Sequence, residues 1–182
     1  MICDSSSHYM WTGAMTTPSS HYLVAAFVIA AIGNGLVSGV FFAFSSVVMP
    51  ALTRVAPSVG VQTMQSINVA VVRSGFLAEF IATTLLSAAL VVGPWWLSSG
   101  RSVWIATIAG VVSVAGSFGV TMLVNVPLNN SLAVAAPQSL GTASLWSNYV
   151  RDWSNANSVR AIAAGIACAL FSWAAVSLAS EG

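Results

Sequence analysis

The sequence predicts an all-α protein, a four-helix transmembrane bundle with short interfacial helices in its two long loops. Three observations carry that prediction. Of 182 residues, 57% are apolar and 5% are charged, whereas a soluble domain is about a quarter charged. The mean hydropathy is +0.87. The apolar residues are gathered into four long stretches parted by prolines, glycines and arginines. Five basic and four acidic side chains, with no lysine, exclude a water-soluble globule, a disordered chain and a nucleic-acid binder. The lipid bilayer is the partner this composition demands.

Residues 1–21 are polar, rich in Ser and Thr, and lack the basic start of a signal peptide. They read as a flexible tail, and 22–182 as a single four-span membrane domain. The first span is expected at about 22–49, ended by Pro50. It exceeds the roughly 20 residues that cross the hydrocarbon core, so tilt is expected. Further spans follow at about 76–97, 103–126 and 161–179.

Small residues line these spans: Gly35 and Gly39 form a GxxxG, and Ala115 and Gly119 repeat the spacing. In lipid, helices associate by close backbone approach, so these pairs are the expected contact faces. Asn34, in mid-span, is expected to hydrogen-bond between helices. Trp95, Trp96 and Trp104 bracket the turn at Gly100 and Arg101, where an interfacial aromatic belt belongs. The two long connections share one side of the membrane and carry Arg54, Arg73, Arg151 and Arg160, against Arg101 on the other. The positive-inside rule places the long loops in the cytoplasm and both termini outside. An internal echo links the spans: Met49-Pro50-Ala51-Leu52 ends the first, and Val126-Pro127-Leu128 ends the third.

Polar side chains are scarce, so their placement is the functional signal. They gather on the long-loop side: Arg54, Gln62, Gln65, Asn68, Arg73 and Glu79; then Asn125, Asn129 and Asn130; then Trp146, Tyr149, Arg151, Trp153, Asn157 and Arg160. Met64, Ile67 and Val71 recur at helical spacing, which suggests an amphipathic helix in the interface. Glu79, one turn inside a span, is costly there and calls for a partner. Arg73, six residues back, lies about 240° around the helix, so Arg160 or Arg54 is the better candidate. Glu79 is then a structural ion pair or a desolvated general base. Asn125 and Asn129 either satisfy backbone groups at a helix end or donate to an oxyanion. Trp146, Tyr149 and Trp153 share one helix face, as interface anchors or as walls of a flat aromatic pocket.

Cys3 and Cys168 lie at opposite ends, and His8 and His21 both precede the first span. Neither a disulfide framework nor a metal centre follows, and no cofactor is expected.

Four short tracts at these positions resemble a known family. They are Phe41-Phe42-Ala43-Phe44-Ser45 with Val48-Met49-Pro50-Ala51-Leu52; Met64-Gln65-Ser66-Ile67-Asn68; Asn125-Val126-Pro127-Leu128-Asn129; and Trp146 and Trp153 with Asn157-Ser158-Val159-Arg160. In this order they resemble the anthrone oxygenase-like integral membrane family, over roughly residues 22–180. The family's tract before the last span often reads Trp-Asn, where Ala156 precedes Asn157 here.

The resemblance implies four membrane helices and oxidation of anthrone-like or other polycyclic phenolic substrates by molecular oxygen, without a cofactor. An anthrone is acidic at its central methylene, because the resulting anion is a delocalised phenolate. Such a site needs a base, donors for the anion and a dry aromatic slot. The candidates are Glu79 as base, and Arg160, Arg73, Asn68, Asn125 and Asn129 as anion holders. Trp146, Trp153 and Asn157 would contact the rings of a small hydrophobic aromatic substrate. Two other classes fit the composition: a non-enzymatic accessory subunit of a larger membrane complex, and a small transporter, which four spans would make a homo-oligomer.

Overall fold

The computed structural model describes residues 18–181. Most of the polar tail expected at 1–21, with Cys3 and His8, lies outside the described residues. All elements are helical. They are α1 (Pro18–Ala43), α2 (Met49–Leu52), α3 (Pro57–Val72), α4 (Gly75–Val92), α5 (Arg101–Val112), α6 (Val126–Ala133) and α7 (Thr142–Glu181). A π turn at Phe44–Val48 joins α1 to α2, and π turns at Ser113–Gly119 and Thr121–Asn125 join α5 to α6. The described residues therefore hold four continuous helices long and apolar enough to cross a membrane: Ser20–Leu52, Gly75–Trp96, Arg101–Ala133 and Thr142–Glu181.

The membrane half of the bundle is built on α7, which packs most extensively against α1 and α5, while α4 closes the bundle against α1 and α5. Its lower core holds Leu23, Phe27, Ile105, Phe171 and Leu178. Close backbone approach holds these helices together, and of the expected glycines only Gly35 takes part, an added Cβ there coming 3.3 Å from the Cys168 Sγ of α7. A Cβ at Gly39 would meet nothing within 4 Å, and one at Gly119 would touch only the Val114 carbonyl of its own helix. The tight sites are Gly33, where an added Cβ would run into Thr83, Gly110, where it would come 2.5 Å from the Ser87 carbonyl oxygen, and Gly116, where it would come 2.5 Å from the Ala163 Cβ. The reason is rotational: Gly33 and Asn34 face inward, whereas Gly39 looks out. Asn34 is the interhelical clasp expected of it, taking a hydrogen bond from Ser113 (2.7 Å) and giving one to Ser87 (3.2 Å).

Trp95 and Trp104 meet edge-to-face at 4.7 Å beside the 97–100 turn. There Ser102 donates to Glu181 at 2.9 Å, and Arg101 lies 4.9 Å from the Trp173 ring centroid. The start of the third span and the end of the fourth are therefore level. Counting back from Glu181, Arg160 lies about 30 Å along α7, one hydrocarbon thickness away. Beyond that level the second span has ended, and the other three continue into a helical head.

Both long connections are helical, in different ways. The first holds α3, whose buried face (Gly60, Val61, Met64) packs on the head rather than only lying in the interface. In the second, α6 and the first half of α7 prolong the spans themselves, leaving 134–141 as the loop. The head has its own core of Met49, Val61, Met64, Leu132, Trp146, Tyr149 and Trp153.

Candidate functional site

The site is a stripe on α7. Trp146, Tyr149, Trp153, Asn157 and Arg160 are spaced three and four apart, so they share one face. All five are buried. Trp146 stacks on Tyr149 at 5.7 Å between centroids, and Tyr149 on Trp153 at 6.4 Å. Gly60 of α3 admits the first ring, since a Cβ there would sit 2.7 Å from it.

The two π-turn regions supply the facing side chains. The Met49 N–H reaches back five residues to the Phe44 carbonyl, and the Val126 N–H to that of Thr121. A proline follows each of these residues. Proline has no N–H to give, so the register can slip there without losing a further hydrogen bond. The internal echo in the sequence is thus a structural one at this point. From these turns Phe44 packs on Trp153 at 5.8 Å, Ser45 accepts from Asn157, Thr121 accepts from Arg160, and Asn125 donates to the Trp153 carbonyl at 3.3 Å.

Arg160 sits at the membrane end of the stripe. Its guanidinium donates to the Asn157 amide oxygen at 2.5 Å and to the Thr121 hydroxyl at 3.1 Å. It lies over the Phe41 ring at 4.1 Å and beside Trp153 at 5.4 Å. Arg160 is 5% exposed and has no carboxylate partner among the described residues. Its Nε and the Asn125 Oδ1 are buried without a hydrogen bond among the described residues. A buried cation with only neutral partners costs several kcal/mol after relaxation, which an anion beside it would offset.

Further up, Asn129 Oδ1 takes hydrogen bonds from both the Tyr149 hydroxyl (2.8 Å) and the Trp153 indole (2.9 Å). Asn68 of α3 lies against the same hydroxyl. The structure therefore gathers Asn68, Asn125, Asn129, Trp146, Trp153, Asn157 and Arg160 along one face of α7.

It does not gather the other two. Arg73 is exposed at the end of α3, bordering a shallow surface groove with Gln62, Gln65 and Ser66. Glu79 lacks the arginine partner expected of it: its Oε1 accepts from Thr83 at 2.8 Å, and no hydrogen bond or ion pair among the described residues links it to Arg160. Thr83 faces α1 at Gly33, and Glu79, one turn earlier, shares that face. Arg151 pairs instead with its neighbour Asp152 at 2.8 Å, in the head. Sequence reasoning missed Phe41 and Thr121 as contacts of Arg160. Thr121 was legible, four residues before Asn125 and eight before Asn129 on one face.

Residues 69–170, more than half of the chain, match the family described as anthrone oxygenase. The chain belongs to the anthrone oxygenase family. No curated protein and no solved structure matches it. The family match spans the stripe from Trp146 to Arg160 and the turn that carries Thr121 and Asn125, and it suggests an oxygenase-like function at the level of the family. Phe41, Phe44 and Ser45, which complete the site in space, precede the matched segment.

Proposed function

We propose that this chain is a membrane-embedded oxygenase that oxidises anthrone-like polycyclic substrates with molecular oxygen and no cofactor. The observation that carries the reading is Arg160: a buried cation held by neutral groups, faced by aromatic rings, at the edge of the hydrocarbon. That environment favours a flat, delocalised anion, and in a dry site its donors act strongly. Arg160, through its unpartnered Nε, stabilises the phenolate-like oxygen, while Trp153 and Phe41 flank the rings.

The chemistry balances without a redox group. Loss of the central methylene proton leaves a carbanion delocalised onto oxygen. This anion gives one electron to O2, and the radical pair combines to a peroxide anion at that carbon, which takes back one proton to become the hydroperoxide. The hydroperoxide loses water, leaving the quinone carbonyl with one atom of the O2. Water at the head-group boundary accepts the first proton in this reading. Glu79, the sequence-based candidate for the base, accepts from Thr83 through Oε1 and keeps a buried Oε2 without a hydrogen bond among the described residues, and its substitution separates the two assignments.

The test is turnover of an anthrone under 18O2 by purified protein in proteoliposomes, with a protein-free control. One labelled oxygen per quinone and O2 uptake above the control support the reading. Uptake equal to the control, from folded protein, overturns it.

A further inference from the structure

Phenylalanines close the membrane side of the Arg160 site. Phe41 meets Phe76 and Phe80 edge-to-face, both at 5.8 Å. Phe76 stacks on Phe80 at 6.2 Å, and Phe80 meets Phe118 at 6.1 Å. Phe41 and Phe80 are buried, whereas Phe76 and Phe118 are partly exposed on the outer surface of the bundle. Phe41 is also the ring under the Arg160 guanidinium. A run of ring contacts therefore leads from the lipid-facing surface to the buried cation, at the depth where the hydrocarbon ends.

We propose that Phe76, Phe80 and Phe118 form a lateral entrance, through which a planar aromatic substrate dissolved in the bilayer reaches Arg160. The proposal rests on the oxygenase reading above. Three features fit an entrance better than a sealed core. Aromatic pairs at these separations are exchangeable, because an incoming flat ring can replace one edge or face contact with another of similar strength. Phe118 lies in the π turn Ser113–Gly119, next to Gly119, where a Cβ would meet no neighbouring helix. On the other side, α4 starts at Gly75 with nothing within 4 Å of a Cβ there. Both borders of the ring cluster thus have room to shift. The ring wall also selects: a flat polycycle slides between rings, and a branched or globular lipid-soluble molecule does not.

The test uses a probe that reports position without turnover. Anthraquinone, a flat aromatic ketone, partitions into bilayers and, when excited by light, abstracts hydrogen from neighbouring C–H bonds and couples to the carbon. Proteoliposomes are irradiated with it and the labelled residues are mapped in wild type, Phe118→Leu, Phe118→Trp and Phe76→Trp. The entrance predicts labelling at Phe76 and Phe118 and around Trp153. It predicts a several-fold loss of the Trp153 label in the two tryptophan variants. Labels at the exposed Val111 and Ile162 should be unchanged, and Phe118→Leu should behave as wild type. A Trp153 label that is equal in all four proteins overturns the entrance and leaves the Arg160 reading standing. Labels at Val111 and Ile162 with none around Trp153 in any protein overturn both.

Discussion

Arg160 donates to the amide oxygen of Asn157, one turn earlier on α7, and the same amide donates to the Phe41 carbonyl and the Ser45 hydroxyl at 2.6 and 2.7 Å. Asn157 is thereby fixed at both ends, and it aims the guanidinium across the α1–α7 interface. In low dielectric, each bond in such a chain strengthens the next. Replacing Asn157 with Leu frees the guanidinium and leaves it short of an acceptor. Oxygen uptake should fall, and the thermal midpoint in detergent should fall with it.

Arg160→Lys tests geometry against charge. Lysine keeps the positive charge but not the planar fork that reaches Asn157 and Thr121 together. A loss on the order of 100-fold in kcat is expected, the usual cost of removing one anion-stabilising donor. Steady-state oxygen uptake measures it, and a lysine variant with wild-type kcat would contradict the role given to the fork.

Glu79→Gln separates the two assignments of the proton acceptor. The amide can still accept from Thr83, so folding is preserved. Unchanged oxygen uptake is expected across pH. A collapse of uptake in protein with an unaltered melting profile would restore Glu79 as the base.

Asn129→Ala strands two donors, the Tyr149 hydroxyl and the Trp153 indole, that share one acceptor. Leaving a buried donor unpaired costs about 1–3 kcal/mol. The variant should show a lowered melting midpoint and altered tryptophan fluorescence, and an unchanged midpoint would show that other partners replace the amide.

Gly60→Ala and Gly39→Ala make a matched pair. The first drives a methyl into the Trp146 ring, and the second meets open space. Overpacking of this kind costs about 1–3 kcal/mol, so only Gly60→Ala should lower the midpoint.

The fold was legible because lipid leaves few options: with nine charges in the chain, long apolar runs must be helices that satisfy their own backbone. Asn34 was legible for the same reason. The glycine contacts were legible only at Gly35, since spacing alone cannot say which way a helix is rotated, and Gly33 rather than Gly39 faces the bundle. Most of the site was readable as a stripe, from Trp146 to Arg160 at helical intervals. The π turns were only half visible: Pro50 and Pro127 mark the places, but the register slip that brings Ser45, Thr121 and Asn125 against α7 depends on tertiary packing. The partner of Glu79 was not legible: spacing pointed to an arginine across the bundle, whereas Oε1 accepts from a threonine one turn away and Oε2 is buried without a hydrogen bond among the described residues.

The most direct measurement is oxygen uptake by wild type and Arg160→Gln in proteoliposomes carrying an anthrone, each corrected for protein-free oxidation. The account predicts uptake in the wild type, with matching quinone formation, and a rate at the uncatalysed baseline in the variant. Equal rates in two folded proteins would contradict it.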